Sequence, residues 1–328
     1  MMLENNIDSQ IPNQSNILDL SGIATIPQAP AGFKSGFIGI IGRPNVGKST
    51  LMNYLVGQKI AITSPVAQTT RNRLRGILTT PEAQLIFVDT PGIHKPHHQL
   101  GEVLVQNARI AIDSVDVVLF VVDGAVEAGG GDRYIVDILS HSKTPVILGI
   151  NKIDTQPAAD AQMLDTTYAR VTEANQWKMV KFSALTGDGL VGLQQLLIEK
   201  LEVGPYYYPP DLVTDQPERF IMGELIREQI LLLTREEVPH SVAIAIEKVE
   251  EEPTITRVFA TINIERDSQK GILIGKGGSM LKAIGSAARE QIQKLIAGKV
   301  HLELFVKVQP KWRQSRTRLA ELGYRVEE

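Results

Sequence analysis

The chain is expected to fold as a three-layer α/β domain with a mostly parallel sheet, followed by a smaller α+β domain. Three observations point there. Short apolar strand runs alternate with helical stretches from about Phe33 to Leu201. The segment Val203-Gly204-Pro205-Tyr206-Tyr207-Tyr208-Pro209-Pro210 then breaks every periodicity. Beyond it the pattern changes to alternating strands beside two helices. A length of 328 residues fits about two domains, and a hydrophobic fraction of 43% is ample for a core in each. The expected divisions are a disordered tail over 1–32, a first domain over 33–203, a linker over 204–217 and a second domain over 218–328.

The tail is rich in Asn, Gln, Ser and Pro; it carries Glu4 and Asp8 but no Lys or Arg, unlike a secretory or organellar leader. The chain has no cysteine, which excludes a disulfide framework or a thiolate metal site and fits a reducing cytoplasm. No apolar run reaches the roughly 18 residues that would span a membrane.

The first strand, near 37–41, runs into Gly42-Arg43-Pro44-Asn45-Val46-Gly47-Lys48-Ser49, and helical spacing of apolar residues follows. Strand, G-x-x-x-x-G-K-[ST] and helix together are the context that a phosphate-binding loop requires. The glycines let backbone N–H groups turn inward on a phosphate at the positive end of a helix. Asn45, Val46, Gly47, Lys48, Ser49 and Thr50 are therefore expected around the phosphates, with Lys48 neutralising the β/γ oxygens and the Ser49 hydroxyl on magnesium.

A strand near 72–78 precedes another over 84–89, which ends in Asp89-Thr90-Pro91-Gly92. Asp89 stands where a carboxylate behind the magnesium ligands is needed, and Gly92 can offer its N–H to a γ-phosphate. Strands follow near 117–123 and 145–150, the latter ending in Asn151-Lys152-Ile153-Asp154. The Asp154 carboxylate can accept from guanine N1–H and the 2-amino group; adenine would leave it unpaired. After the strand 178–182, Ser183-Ala184-Leu185 is expected to present the Ala184 N–H to guanine O6. Four motifs at strand C-terminal ends match the ligand-site rule for open α/β sheets. This domain is read as binding GTP or GDP with magnesium.

The linker tyrosines are expected to pack against their domain rather than stack on a base. In the second domain an amphipathic helix spans 218–234, strands run near 242–246 and over 255–264, and a last strand covers 301–308. Between them Ile272-Leu273-Ile274 turns through the G-x-x-G of Gly275-Lys276-Gly277-Gly278 into a helix ending near 297. That is the KH arrangement, whose glycines let a sugar-phosphate backbone lie against the turn. Charge supports this reading. Residues 266–318 hold 12 Lys and Arg against 3 Asp and Glu, while 206–265 hold 5 against 12. Such segregation points to one face built for phosphate. Lys276, Lys282 and Arg289 are the expected basic contacts.

Taken together, Gly-Arg-Pro-Asn-Val-Gly-Lys-Ser-Thr, Gln68-Thr69-Thr70-Arg71, Asp-Thr-Pro-Gly-Ile-His-Lys-Pro, Asn-Lys-Ile-Asp, Ser-Ala-Leu and Ile274-Gly275-Lys276-Gly277-Gly278 resemble the bacterial Era family of GTPases over roughly Phe33 to Tyr324. The tandem Der type and the tRNA-modification type, with its terminal Cys, fit worse. The resemblance implies a P-loop GTPase domain followed by a type II KH domain, and hydrolysis of GTP to GDP and phosphate. It also implies binding near the 3′ end of small-subunit ribosomal RNA, a role in 30S maturation under control of the GTP state, and loose peripheral association of a cytoplasmic monomer with the inner membrane. It makes Thr70 rather than Thr69 the magnesium-binding threonine, a choice the residues alone leave open. Lys48, Thr70 and Gly92 are thereby the expected catalytic contributors. The residue after Gly92 is Ile93, which cannot orient a water. Backbone groups of the two switch segments, a monovalent cation or a partner's group remain as ways to hold it. Asn45 is the expected potassium ligand, as in GTPases apolar at the Ile93 position. His94, His97 and His98 are read as switch residues rather than a metal site. Two other classes compete: an RNA-binding protein with a structural nucleotide pocket, and an ATPase or kinase. Intact Lys48, Ser49 and Asp89 argue against the first, Asp154 against the second.

Overall fold

The computed structural model describes residues 26–64, 69–71, 73–93, 99–235, 238–296, 298–322 and 324. Most of the expected tail, and His94, His97 and His98, lie outside them.

The first unit is a six-stranded sheet of β1 (Lys34–Ile41), β2 (Leu74–Thr79), β3 (Ala83–Asp89), β4 (Val117–Asp123), β5 (Val146–Asn151) and β6 (Lys178–Lys181). Its order is β2-β3-β1-β4-β5-β6, and only β2 runs antiparallel to its neighbour. β3 and β4 are buried along nearly their whole length because helices cover both faces, which is why they read as unbroken apolar runs. α1 (Lys48–Val56) and α5 (Leu190–Lys200) pack on one face through Leu51, Met52, Leu193 and Leu197. α2 (Gln99–Asp113), α3 (Gly130–Ser140) and α4 (Ala161–Thr172) cover the other through Ala108, Ile135 and Tyr168. The chain leaves β1 for β2 and β3 on one side and then returns to β4 on the other. The C-terminal end of β1 is therefore the topological switch point, where a crevice opens.

The linker is strapped down. Tyr206 packs on Phe33 at 4.5 Å and Tyr207 on Phe37 at 5.2 Å. Gln84 Oε1 accepts from the N–H groups of Tyr207 and Tyr208, and the Ile77 N–H donates to the Val213 carbonyl.

The second unit runs α6 (Glu218–Leu233), α7 (Val238–Ser241), β7 (Ala243–Glu252), β8 (Ile255–Ile264), α8 (Asp267–Ile274), α9 (Ser279–Ile296), β9 (Val300–Val308) and α10 (Arg316–Glu321). The sheet order is β7-β8-β9, with β7 antiparallel and β9 parallel to β8. Val258, Ala260, Ile262 and Ile264 of β8 turn toward α6, α8 and α9 to form the core. The amphipathic pattern expected of α6 is only half the account. Arg227 and Glu228, on its polar side, are also buried, because the first unit covers that side.

Candidate functional site

Loop 42–49 sits at the switch point between β1 and α1, with the α1 N-terminus aimed into a cleft of about 330 Å³. Gly47 adopts φ 96°, and a Cβ there would lie 2.3 Å from Asn151 Nδ2, so both conformation and space demand glycine. Lys48 is buried and donates to the carbonyls of Gly42 and Arg43 at 3.2 and 3.0 Å. Burial pushes its ammonium down to about 8, against the opposing pull of Asp89. Anionic phosphates in the cleft would raise it again. Asn45, Ser49 and Thr50 line the same cleft, and Val46 is buried beneath it.

Three side chains from distant segments converge under this loop. Asp89 Oδ2 accepts from Ser49 Oγ at 2.7 Å and from Thr70 Oγ1 at 3.1 Å, and the two hydroxyls lie 2.9 Å apart. Thr69, by contrast, donates to the Ser64 carbonyl at 3.4 Å. Asp89 is fully buried, and among the described residues its Oδ1 has no hydrogen-bond partner. Burial pushes its carboxyl above the usual range, and Lys48, Ser49 and Thr70 only partly offset this. An orphaned carboxylate oxygen beside two hydroxyls is a donor set of hard oxygens, suited to magnesium. Gly92 lies buried against the Pro44 backbone at the cleft, while Ile93 is packed into the sheet core with its N–H on the Gly42 carbonyl. No side chain at that position reaches the cleft.

On the base side, Lys152 lines the cleft and pairs with Asp123 at 2.6 Å, and Asp154 stands exposed on the following turn. Asn151 does more than the sequence reveals. Its Nδ2 donates to the Val46 carbonyl at 2.8 Å, and its Oδ1 accepts from the Ala184 N–H at 2.9 Å. One buried amide thus ties the phosphate loop to the Ser183–Leu185 segment. The Ala184 N–H, expected at guanine O6, rests here on Asn151 Oδ1. Ser183 Oγ accepts from the N–H groups of Leu185 and Thr186, which fixes the turn and leaves the Leu185 side chain 73% exposed.

The segment between α1 and β2 is fastened to the second unit at both ends. Glu228 of α6 accepts from Lys59 at 2.6 Å and from the Thr63 N–H at 2.9 Å. Arg227 donates to the Thr69 carbonyl and pairs with Glu224. Arg71, next to Thr70, is 2% exposed and donates to the carbonyls of Val242, Pro239 and His240, under the Tyr324 ring at 5.9 Å. These contacts escape sequence reasoning, because nothing local in Glu228 or Arg71 says which distant backbone it will meet.

The G-x-x-G turn joins α8 to α9. Lys276 and Gly277 are exposed on it, and a Cβ on Gly277 or Gly278 would meet nothing within 4 Å. Gly278, Lys282 and Arg289 line a cleft of about 510 Å³ between α9 and the free edge of β9. Gly275 and Lys276 lie at its turn end. Leu281, Gly285 and Ser286 also line it, and the i, i+3, i+4 spacing from Gly278 to Arg289 is the sequence signal for that face.

Residues 37–152 match the family model described as 50S ribosome-binding GTPase, and residues 237–313 the one described as KH domain. The GTPase Era of Nostoc sp. (strain PCC 7120 / SAG 25.82 / UTEX 2576) is 82% identical over 314 residues, covering 96% of this chain and 97% of its own. The chain belongs to the GTPase Era family. Another Era, from Rippkaea orientalis (strain PCC 8801 / RF-1), is 72% identical over 96% of the chain and 99% of its own length. Two solved Era structures are each 38% identical and each cover 89% of this chain and 99% of their own. One, at TM-score 0.86, is Era in complex with MgGDPNP and nucleotides 1506–1542 of 16S ribosomal RNA. The other, at TM-score 0.85, is a single-site variant of Aquifex aeolicus Era bound to GDP.AlF4-. Membership makes this chain a GTPase whose α/β P-loop domain is followed by a KH domain, as in other Era proteins.

Proposed function

We propose that the protein hydrolyses GTP in the cleft beside loop 42–49, and that the GTP state controls binding of the 3′ region of small-subunit ribosomal RNA to the KH turn during 30S maturation. One observation carries the reading. Thr70, which meets Ser49 and Asp89 under the phosphate loop, is followed directly by Arg71, which is buried against the KH unit. A γ-phosphate that draws in Thr70 would therefore act on both units.

Ser49 and Thr70 would hold magnesium, with Asp89 behind them, and the ion would neutralise charge on the phosphate oxygens. Lys48 and the Gly92 N–H would hold the terminal phosphates, and Asp154 would select guanine. Phosphoryl transfer depends mostly on positioning and charge, which suits a site whose Ile93 supplies no polar group. Gly275, Lys276, Gly277, Gly278, Lys282 and Arg289 would take the RNA backbone. The ribosomal RNA segment held by the 38%-identical Era structure supports this choice of ligand. We place the protein in the cytoplasm as a monomer, with a peripheral inner-membrane contact inferred from family resemblance. No described helix is long and apolar enough to cross a membrane. Ser49→Ala should reduce magnesium-dependent GTP turnover by about two orders of magnitude or more while the fold survives, since it removes an oxygen and not a core contact. Turnover equal to wild type would contradict the assignment.

Asn45 is proposed as a potassium ligand. It sits at φ 65° in the loop, and it lines the cleft together with Thr63 and Ser64 of the opposite segment. A cation there would offset charge developing on the leaving group, much as an arginine finger does. GTP hydrolysis is expected to run faster in potassium than in sodium chloride at equal ionic strength, and Asn45→Ala should abolish the difference. Equal wild-type rates in the two salts would reject it.

A further inference from the structure

The KH cleft is lined by residues 300–304 of β9 and leaves Phe305 and Lys307, further along the strand, unexplained. Leu302, Leu304, Val306 and Val308 alternate inward onto the core, so His301, Glu303, Phe305 and Lys307 turn outward. Phe305 is 62% exposed, unusual for an aromatic of this size on a regular strand. It stands opposite Thr261 of β8, two residue pairs along from Phe259, which stands opposite Glu303. Lys307 shares this side of β9, Lys311 and Arg316 follow the strand in sequence, and all three are exposed with no ion pair to a carboxylate among the described residues. Glu303 is the only acidic residue between 299 and 318.

We propose that this outer face is a second RNA-contact surface, on which an unpaired base stacks on Phe305 while Lys307, Lys311 and Arg316 meet phosphates. This rests on the reading of the KH cleft as an RNA site. β9 is the free edge of its sheet, so no further strand stands between the cleft and the outer face. An RNA chain leaving the cleft over that edge meets the ring next. An exposed aromatic interleaved with unpaired cations is the pattern of a single-strand stacking platform. A protein partner would be better matched by a broader apolar patch than by one ring among cations.

Two probes separate the surfaces: a synthetic RNA of the sequence of nucleotides 1506–1542 of 16S ribosomal RNA, and pieces of it of about four to six nucleotides, enough for the cleft alone. Phe305→Ala should weaken the long RNA about tenfold and leave the short pieces unchanged. Phe305→Leu should behave as Phe305→Ala, because it keeps apolar area but loses the stacking face. Lys307→Ala should reduce the salt dependence of long-RNA binding by about one phosphate contact. Wild-type affinity of Phe305→Ala for the long RNA overturns the proposal, as does equal weakening on short and long probes. Full recovery by Phe305→Leu overturns the stacking. If the wild type binds neither RNA, the reading of the cleft fails as well; Gly277→Asp, which should lose both probes, reports on the cleft alone.

Discussion

Gly277→Asp is expected to lose RNA binding by about a hundredfold or more while GDP binding stays at the wild-type level. The glycine is exposed on the turn between α8 and α9 at φ 60°, with open space where a Cβ would go. An aspartate therefore adds charge toward solvent rather than a clash with the core. A carboxylate facing a phosphate costs several kcal/mol of like-charge repulsion, and about 2.8 kcal/mol already corresponds to a hundredfold. Gly275→Asp is a poorer test of the same idea. Its φ is 71°, and a Cβ there would come within 2.8 Å of Met280 Cβ and 2.9 Å of the Met280 nitrogen. That variant should shift the start of α9 as well as repel phosphate. RNA titrations with melting curves separate the two effects. Wild-type RNA affinity in Gly277→Asp would remove the turn from the binding site.

The second large effect is expected at Asp154. It stands exposed on the turn after β5, next to the Lys152–Asp123 pair, so its carboxylate supports no packing. Asp154→Asn should lower GTP affinity by about 10⁴-fold, because an amide cannot accept from both N1–H and the 2-amino group. Affinity should move toward xanthine nucleotides, whose 2-oxo group can accept from the new amide. Competition of labelled GDP by GTP and by XTP reads this directly. Unchanged guanine preference would dismiss the assignment.

The strands, the loop at the switch point and the G-x-x-G turn are legible in the sequence because each is specified by local chemistry. A phosphate loop needs glycine at 47, and a buried parallel strand needs an unbroken apolar run such as Leu85–Val88. What is not legible depends on contacts between distant segments. The choice between Thr69 and Thr70 cannot be made from residue type, yet in space only Thr70 meets Ser49 and Asp89. Asn151 reads as a base-side residue, and in the fold it joins two loops. The buried polar side of α6 reads as solvated, since its cover, the segment starting at Lys59, lies 169 residues away in sequence.

Nucleotide state and RNA binding are expected to be linked through the segment between α1 and β2. The most direct measurement is RNA affinity of protein saturated with magnesium and either GDPNP or GDP, for wild type and for Glu228→Ala. Glu228 holds that segment to α6 through Lys59 and the Thr63 N–H, and it touches neither proposed ligand. Wild-type affinity should differ between the two states by about fivefold or more, the usual scale of coupling between sites. Glu228→Ala should narrow that difference while both forms still bind GDP. Equal RNA affinity of the wild type in the two states would show that the two sites are not coupled.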